Sequence, residues 1–488
     1  MGFDQCQLTF TDITYTTGMR TWLIIFTCLS LATACKQQPT GRKDTTSTEQ
    51  AQARSAPAPQ RKDKLAAVTD EKLGLCSGSI THTERVHITP VGKPPFMAYY
   101  KDPAFGTKVI RISNSRKAEA TKPAYSTMQA WNADESLLML YRTGHGTNDH
   151  VLYDGNTYER LGPLDIWPVD IEEVWWSRTD PASLFYVSGE EGQKGHFLRY
   201  NLANNTKTLI KDFSKVCGAN AIPTGGGDVF MQSEDDDLFA FRCDNEQKSQ
   251  TMFTYRLSTD EIVTAELGGK TRWNTSTAPA ASASGERLWL QGYSLKTDLK
   301  TVEQAMDLAN SENHSSIGRT HDGQDAIYQV VFNRSPGGCD GDLWNGVGHI
   351  VQHNLETGAC RPLVGETQGY PYTTSSTHVS ALSTKHPGWV AGSSIGKEFD
   401  WFGNGRKAPA LFSEIYLANS DPDNPVVCRL AHHRSYGKQA TNEGYAPYFS
   451  EPHATISPSG TRIIFGSDWY DSGSVDTYVI ELPMHKRP

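Results

Sequence analysis

The sequence predicts an all-β fold, a seven-bladed β-propeller closed by an N-terminal strand, on three observations. First, two apolar or alternating runs flanking a short turn recur seven times. The turns are Asn132-Ala-Asp-Glu-Ser, Ser177-Arg-Thr-Asp-Pro, Ser233-Glu-Asp-Asp-Asp, Ser282-Ala-Ser-Gly-Glu, Thr320-His-Asp-Gly-Gln, Ser383-Thr-Lys-His-Pro-Gly and Ser457-Pro-Ser-Gly-Thr. Such pairs read as the inner strands, a and b, of successive blades. Second, another hairpin type, assigned to outer strands c and d, recurs at Tyr153, Tyr200, Tyr255, His353 and Tyr416. Its spacings are 47, 55, 98 and 63 residues, so the longest one hides a degenerate unit. Third, the last unit offers only a, b and c, ending with Asp476 to Leu482, whereas Phe105 to Ser113 is a lone strand ahead of the first full unit. That strand is expected to complete the final blade, which leaves only short edges unpaired. A β-sandwich is the structural alternative, but seven similar units over roughly 370 residues are too many for one.

Composition agrees with this and narrows function. Aromatics make up 10%, with 42 Gly and 25 Pro, and the mean hydropathy is −0.51. A chain so rich in β-formers and turn residues is neither a coiled coil nor a membrane bundle. The net charge of −9 argues against a nucleic-acid partner.

The first 35 residues stand apart. Starting from Met19, Arg20 supplies a positive charge before the apolar run Trp22 to Ala32, which ends in Leu31-Ala-Thr-Ala34-Cys35. This is signal-peptide grammar, too short for a transmembrane helix, and its small residues before Cys fit a bacterial lipoprotein cleavage box. Cys35 is expected to carry the lipid of an exported, outer-membrane protein; an ordinary cleaved signal with an incidental Cys is the alternative. Residues 36–75 lack large apolar side chains almost entirely and read as a disordered tether, so the propeller is assigned to 76–488 as a monomer. Six cysteines follow the tether, at 76, 217, 243, 339, 360 and 428. Export permits disulfides, and Cys217 with Cys243 is one possible bridge, but spacing does not set the connectivity.

In such blades the b–c loops and the starts of strand a share the top face, where chemistry is expected. Three consecutive units begin strand a alike: Asn313-His314-Ser-Ser, Thr377-His378-Val-Ser and Pro452-His453-Ala-Thr. Three convergent imidazoles are typical ligands of Zn or Mn, and Cys339, Asp340, Asp342 and His349 in a neighbouring loop could add a thiolate or carboxylate. A divalent metal, Zn, Mn or Ca, with a structural role is therefore expected at His314, His378, His453 and Cys339. The bland alternative is that each His caps its strand against a neighbouring blade. Across the ring, His145 and His150 follow strand b of the first unit and Arg242 ends strand b of the third. His145 could trade a proton and Arg242 could hold a carboxylate with two hydrogen bonds. A solvated loop and a blade-to-blade salt bridge are the alternatives.

The strings Tyr125-Ser-Thr-Met-Gln-Ala-Trp-Asn-Ala-Asp-Glu-Ser, His378-Val-Ser-Ala-Leu with Pro387-Gly-Trp-Val, and Glu451-Pro-His-Ala-Thr-Ile-Ser-Pro-Ser-Gly-Thr resemble propeller-type polysaccharide lyases, especially ulvan lyases, across residues 88 to 484. Oligogalacturonate lyases share that fold and carry a His-rich metal site, which the three strand-a histidines resemble. The resemblance implies β-elimination at a uronic acid in an anionic polysaccharide. Its catalytic set would be His145, His150, Arg242 and Tyr125, with Arg142, Gln129, Tyr445 and Trp401 as substrate contacts. The pattern departs from ulvan lyases where a further His is expected and Tyr125 and Ser126 stand instead. A Tyr expected near the start of the third blade is also absent from Gly225-Gly-Gly-Asp-Val, so Tyr125 or Tyr445 would take that role. A non-catalytic propeller lipoprotein that binds glycans or envelope proteins is the alternative function.

Overall fold

Each of the seven predicted turns joins the inner strands of one antiparallel sheet, and the seven sheets form a ring. The computed structural model describes residues 74–486 except 145, 219–221, 226–231, 245–250, 269–270, 274–277, 307–313, 332–338, 340–348, 366–367, 371–375, 395–409 and 437–446. The leader, Cys35, the tether up to residue 73, His145, Asp340, Asp342, Trp401 and Tyr445 thus lie outside the described residues, whereas Leu75, at the tether's assigned end, is buried.

Strands a to d run Ala120–Lys122, Leu137–Gly144, Thr147–Asp154 and Arg160–Pro163 in blade 1, and Val174–Trp176, Ser183–Val187, His196–Asn201 and Thr206–Asp212 in blade 2. Blade 3 has Ile222–Thr224, Leu238–Asp244, Thr251–Arg256 and Glu261–Glu266, and blade 4 has Ala280–Ala281, Arg287–Leu290, Tyr293–Lys296 and Val302–Ala305. Blade 5 has Ser315–Arg319, Asp325–Val331, His349–Asn354 and Cys360–Val364, and blade 6 has Ser376–Ser380, Trp389–Ser394, Glu414–Asn419 and Val426–His432. Blade 4 holds the degenerate unit: its outer hairpin turns at Leu299 without the aromatic that marks most of the others.

Blade 7 takes Thr455–Ile456, Arg462–Ser467 and Asp476–Glu481 from the C-terminal side. Its fourth strand, Lys108–Arg111, comes from the N-terminal side and pairs Lys108 with Glu481 and Arg111 with Tyr478. The strand is shorter than the run from Phe105 to Ser113, and a fifth, Tyr99–Lys101, is added outside it.

Inner strands are buried on both faces because each blade packs between two others. The aromatic rings of Phe185, Phe197, Phe239, Phe241 and Phe253 fill the gap between blades 2 and 3. Alternation therefore fades in strands such as Arg462–Ser467, where every residue is buried.

The a–b turns are not as bland as their sequences suggest, because carboxylates there latch one blade to the next. Asp236 in the turn of blade 3 accepts hydrogen bonds from Ser177 Oγ, Thr179 Oγ1 and the backbone N–H groups of Arg178 and Thr179 in the turn of blade 2. Asp325 of blade 5 accepts from the N–H and Oγ of Ser284 in blade 4. Glu135 of blade 1 accepts from the N–H and Oγ of Ser459 in blade 7 and pairs with Arg462 at 2.8 Å. Glu135 and Asp236 both sit at positive φ, +64° and +58°, a cost the latches offset.

All six cysteines pair, Cys76 with Cys428, Cys217 with Cys243 and Cys339 with Cys360. Cys76 lies in a strap that runs up the outside of blades 6 and 7. Leu75 sits against Gly460 in the a–b turn of blade 7, Ile80 bridges to Arg429, and Trp469 Nε1 donates to the carbonyl of Val91.

Two outcomes follow from these burials. Asp236→Ala leaves several donors without an acceptor and should lower unfolding stability by about 2–3 kcal/mol in a urea titration; a loss within error would show that water replaces the carboxylate. Burial also pushes His349, His432 and His433 down to about 4, 3 and 4. The unfolded chain takes up protons near 6.5 while these folded side chains stay neutral. Their contribution is present above that value and lost as the pH falls from about 6.5 toward 4. The urea midpoint should drop across that window, and a flat midpoint would mean the three rings are protonated in the fold.

Candidate metal and acid–base site

The starts of strand a in blades 5, 6 and 7 bring His314, His378 and His453 together. His314 and His378 stack face to face, with centroids 4.2 Å apart and planes 8° from parallel. His378 and His453 meet edge to face at 4.3 Å. His453 holds φ at +43°, and the carbonyl of Pro452 before it accepts from the N–H of Gly466, which fixes the approach to the strand.

Ligand geometry differs from the expected three histidines. His314 stacks on His378, and the residues whose donor atoms gather are His378, Glu451 and His453. The converging third donor is Glu451. Its Oε2 lies 3.4 Å from His453 Nε2 and 3.7 Å from His378 Nε2, and donor atoms of the three residues lie within 4.8 Å of one another. The bend at Glu451 and the positive φ of His453 turn the two side chains of the Glu-Pro-His string toward each other ahead of strand a.

Both imidazoles are fully buried, and burial, followed by the charges around them, holds each well below the usual histidine range. They are therefore neutral, the form that binds a metal. His378 Nδ1 and Nε2 and His453 Nε2 have no hydrogen-bond partner, an expensive state for buried nitrogens that coordination would relieve. Two imidazole nitrogens and a carboxylate suit Zn or Mn better than Ca, which prefers an all-oxygen shell.

Blade 1 closes the cluster from the other side of the ring seam. Tyr125 presents its ring to His378 and His453 at 4.9 and 4.7 Å. Lys122 Nζ lies 2.5 Å from His453 Nδ1 and donates to the carbonyl of Glu451 at 3.1 Å. Burial lowers its pKa to about 7, against the pull of Glu451 and Glu172. Tyr448, on a 3₁₀ turn over Pro447–Ser450, packs on His453 at 4.7 Å and stacks with Tyr125 at 6.3 Å. Its hydroxyl donates to Glu172 at 2.5 Å. Tyr448 and Glu172 are only half-buried, so this pair is the accessible edge of the cluster. Sequence reasoning missed Lys122, Glu172 and Tyr448, because no local pattern marks residues that meet from blades 1, 2 and 7.

Other sequence-derived candidates are placed elsewhere. Cys339 is not a thiolate ligand, since its sulfur is bonded to Cys360. His349 is buried with Nε2 on the carbonyl of Tyr370. His150 lies within strand c of blade 1 and is buried too, its Nε2 on the carbonyl of Ile171 and its pKa lowered by burial, so it is not part of a solvated loop. Arg142 is clamped by Asp149 across its own hairpin at 3.0 and 2.8 Å. Arg242 pairs with Asp244 at 2.9 Å within its strand. Gln129 gives its amide N–H groups to the carbonyls of Leu382 and Ile456 in blades 6 and 7. Of the proposed catalytic residues, Tyr125 alone among the described ones joins the histidines.

Fold and cluster together define a seven-bladed propeller with a buried His/Glu group at one end of its channel. No family model matches the chain, and no curated protein is similar to it in sequence. Among solved structures, an oligogalacturonate lyase in complex with manganese aligns with a TM-score of 0.54 at 15% identity, over 82% of this chain and 98% of the other. The oligogalacturonate lyase from Vibrio parahaemolyticus gives 0.54 at 12% identity, over 83% and 99%. At such identities the likeness is one of fold.

The ligand assignment has a direct check. His378→Ala and Glu451→Gln should each weaken Zn or Mn binding at least about tenfold in calorimetric titration, while His314→Ala leaves it nearly unchanged. Equal losses for all three would restore the trio of histidines.

Proposed function

We propose that the protein is an exported polysaccharide lyase that cleaves a uronate-containing, ulvan-like anionic polymer by β-elimination. The observation that carries this is the His378–Glu451–His453 group, edged by an accessible tyrosine, in a fold shared with two oligogalacturonate lyases. Elimination needs positive charge against the uronate carboxylate, a base for the proton at C5 and an acid for the leaving oxygen at C4. Arg242 and Arg142 are neutralised by their own aspartates. A divalent ion held by His378, Glu451 and His453 would supply the missing charge.

The rest falls to the chain's own groups. In this reading Tyr448, whose hydroxyl donates to Glu172 in the free protein, hydrogen-bonds O4 and gives up its proton as the C4–O4 bond breaks. His145, which follows Gly144 in the sequence, receives the C5 proton in this reading. The electron pair left at C5 forms the C4=C5 double bond, and no water is consumed. Tyr125 and Lys122 stay buried and orient His378 and His453. The Cys35 box supports export with a lipid anchor, and three disulfides suit an oxidising compartment.

A binding-only propeller is the second reading, favoured by the internal pairing of both arginines. Ultraviolet absorbance of the conjugated unsaturated uronate separates the two. Metal-loaded protein should raise it on at least one polymer of a uronate panel, and a chelator should abolish the signal until metal is returned. Tyr448→Phe should cut kcat roughly 10²- to 10⁴-fold with metal content unchanged. Silence across the whole panel would leave only the binding reading.

A further inference from the structure

Trp167 is 69% exposed, more than any other large apolar side chain among the described residues. It belongs to the top-face segment that joins strand d of blade 1 to strand a of blade 2. Alternation along that segment is strict: Leu164 and Ile166 point in and are buried, while Asp165 and Trp167 point out. Its backbone is pinned on both sides. The N–H of Gly189 donates to the carbonyl of Trp167 at 2.7 Å, the N–H of Val169 donates to that of Val187 at 2.9 Å, and Pro168 bridges to Ser188. The approach is close enough that a Cβ at Gly189 would lie 2.9 Å from the carbonyl oxygen of Pro168. A pinned backbone thus holds most of the Trp167 side chain out in water. Beside it, the charge of Asp165 is compensated by Lys207 at 2.9 Å.

The same segment leads inward to Glu172, which holds Tyr448 at the edge of the histidine cluster. Glu172 follows Trp167 by five positions, at most about 18 Å of chain. The indole and the cluster therefore stand on one face, within the span of a few sugar rings. The apolar C–H face of a pyranose stacks on such a ring, which is large, rigid and cheap in conformational entropy.

We propose that Trp167 is a stacking platform for a sugar unit of the polysaccharide chain, a few units away from the one held at the cluster. This rests on the polysaccharide reading given above. The test is affinity electrophoresis through gels containing uronate polysaccharide, with kinetics on long and short oligomers of the cleaved polymer. Trp167→Ala should lose retardation in the gel and raise KM about three- to tenfold on polymer and long oligomers, with kcat and the KM of the shortest cleaved oligomer unchanged. Trp167→Phe should recover part of the retardation. Unchanged retardation and KM on polymer would overturn the platform while leaving the lyase intact, and an equal loss on the shortest oligomer would show a role at the cluster itself. If wild-type protein neither cleaves nor is retarded by any polymer, both readings fall.

Discussion

Closure of the ring between blades 7 and 1 is the constraint on which the rest depends. The seam is held at the a–b turns by Glu135, which gathers Ser459 and Arg462, and at the other end by backbone bonds between Glu119, Thr121 and Val475. Thr477 Oγ1 adds a bond to the carbonyl of Thr121. Only with this seam shut do Lys122 and Tyr125 of blade 1 meet Glu451 and His453 of blade 7. Fold closure and site assembly are in this sense one event. A change that loosens the seam acts on the cluster even when it touches none of its side chains, as expected for groups that share one packed interface.

The cluster is an expensive thing to bury. Three imidazoles, a carboxylate, a lysine and two tyrosines converge where water is scarce, and desolvation keeps His378, His453 and Lys122 from holding charge as they would in solvent. Buried nitrogens without partners are uncommon in well-packed interiors. At the histidine cluster three such nitrogens, two of His378 and one of His453, stand beside the Glu451 carboxylate, an arrangement unlike the hydrogen-bonded carboxylates that latch the a–b turns.

Much of the architecture was legible because blades repeat. The seven turns were visible as recurring Asp/Ser/Gly strings between apolar runs, and the equivalent positions of His314, His378 and His453 pointed to one location. What stayed hidden depended on partners that local sequence does not name. Arg142 and Arg242 look like free cations until Asp149 and Asp244 are seen beside them, and Gln129 looks available until two carbonyls from other blades take its amide. Cys339 has the chemistry of a ligand or of a disulfide, and only the neighbouring strand decides. The stacking of His314 on His378 is likewise a matter of ring orientation, beyond the reach of spacing.

The strap has a consequence of its own. Leu75 lies by Gly460, at the turn end of blade 7, whereas His453 begins the same blade's strand a at the opposite end. Six residues of strand b span that blade, about 20 Å at the rise of an extended chain. The strap therefore starts, at Gly74, on the side of the ring away from the histidines, and Cys76 fastens it there covalently. A solid support coupled directly at Gly74 would grip the ring by its back, with the histidine mouth on the far face.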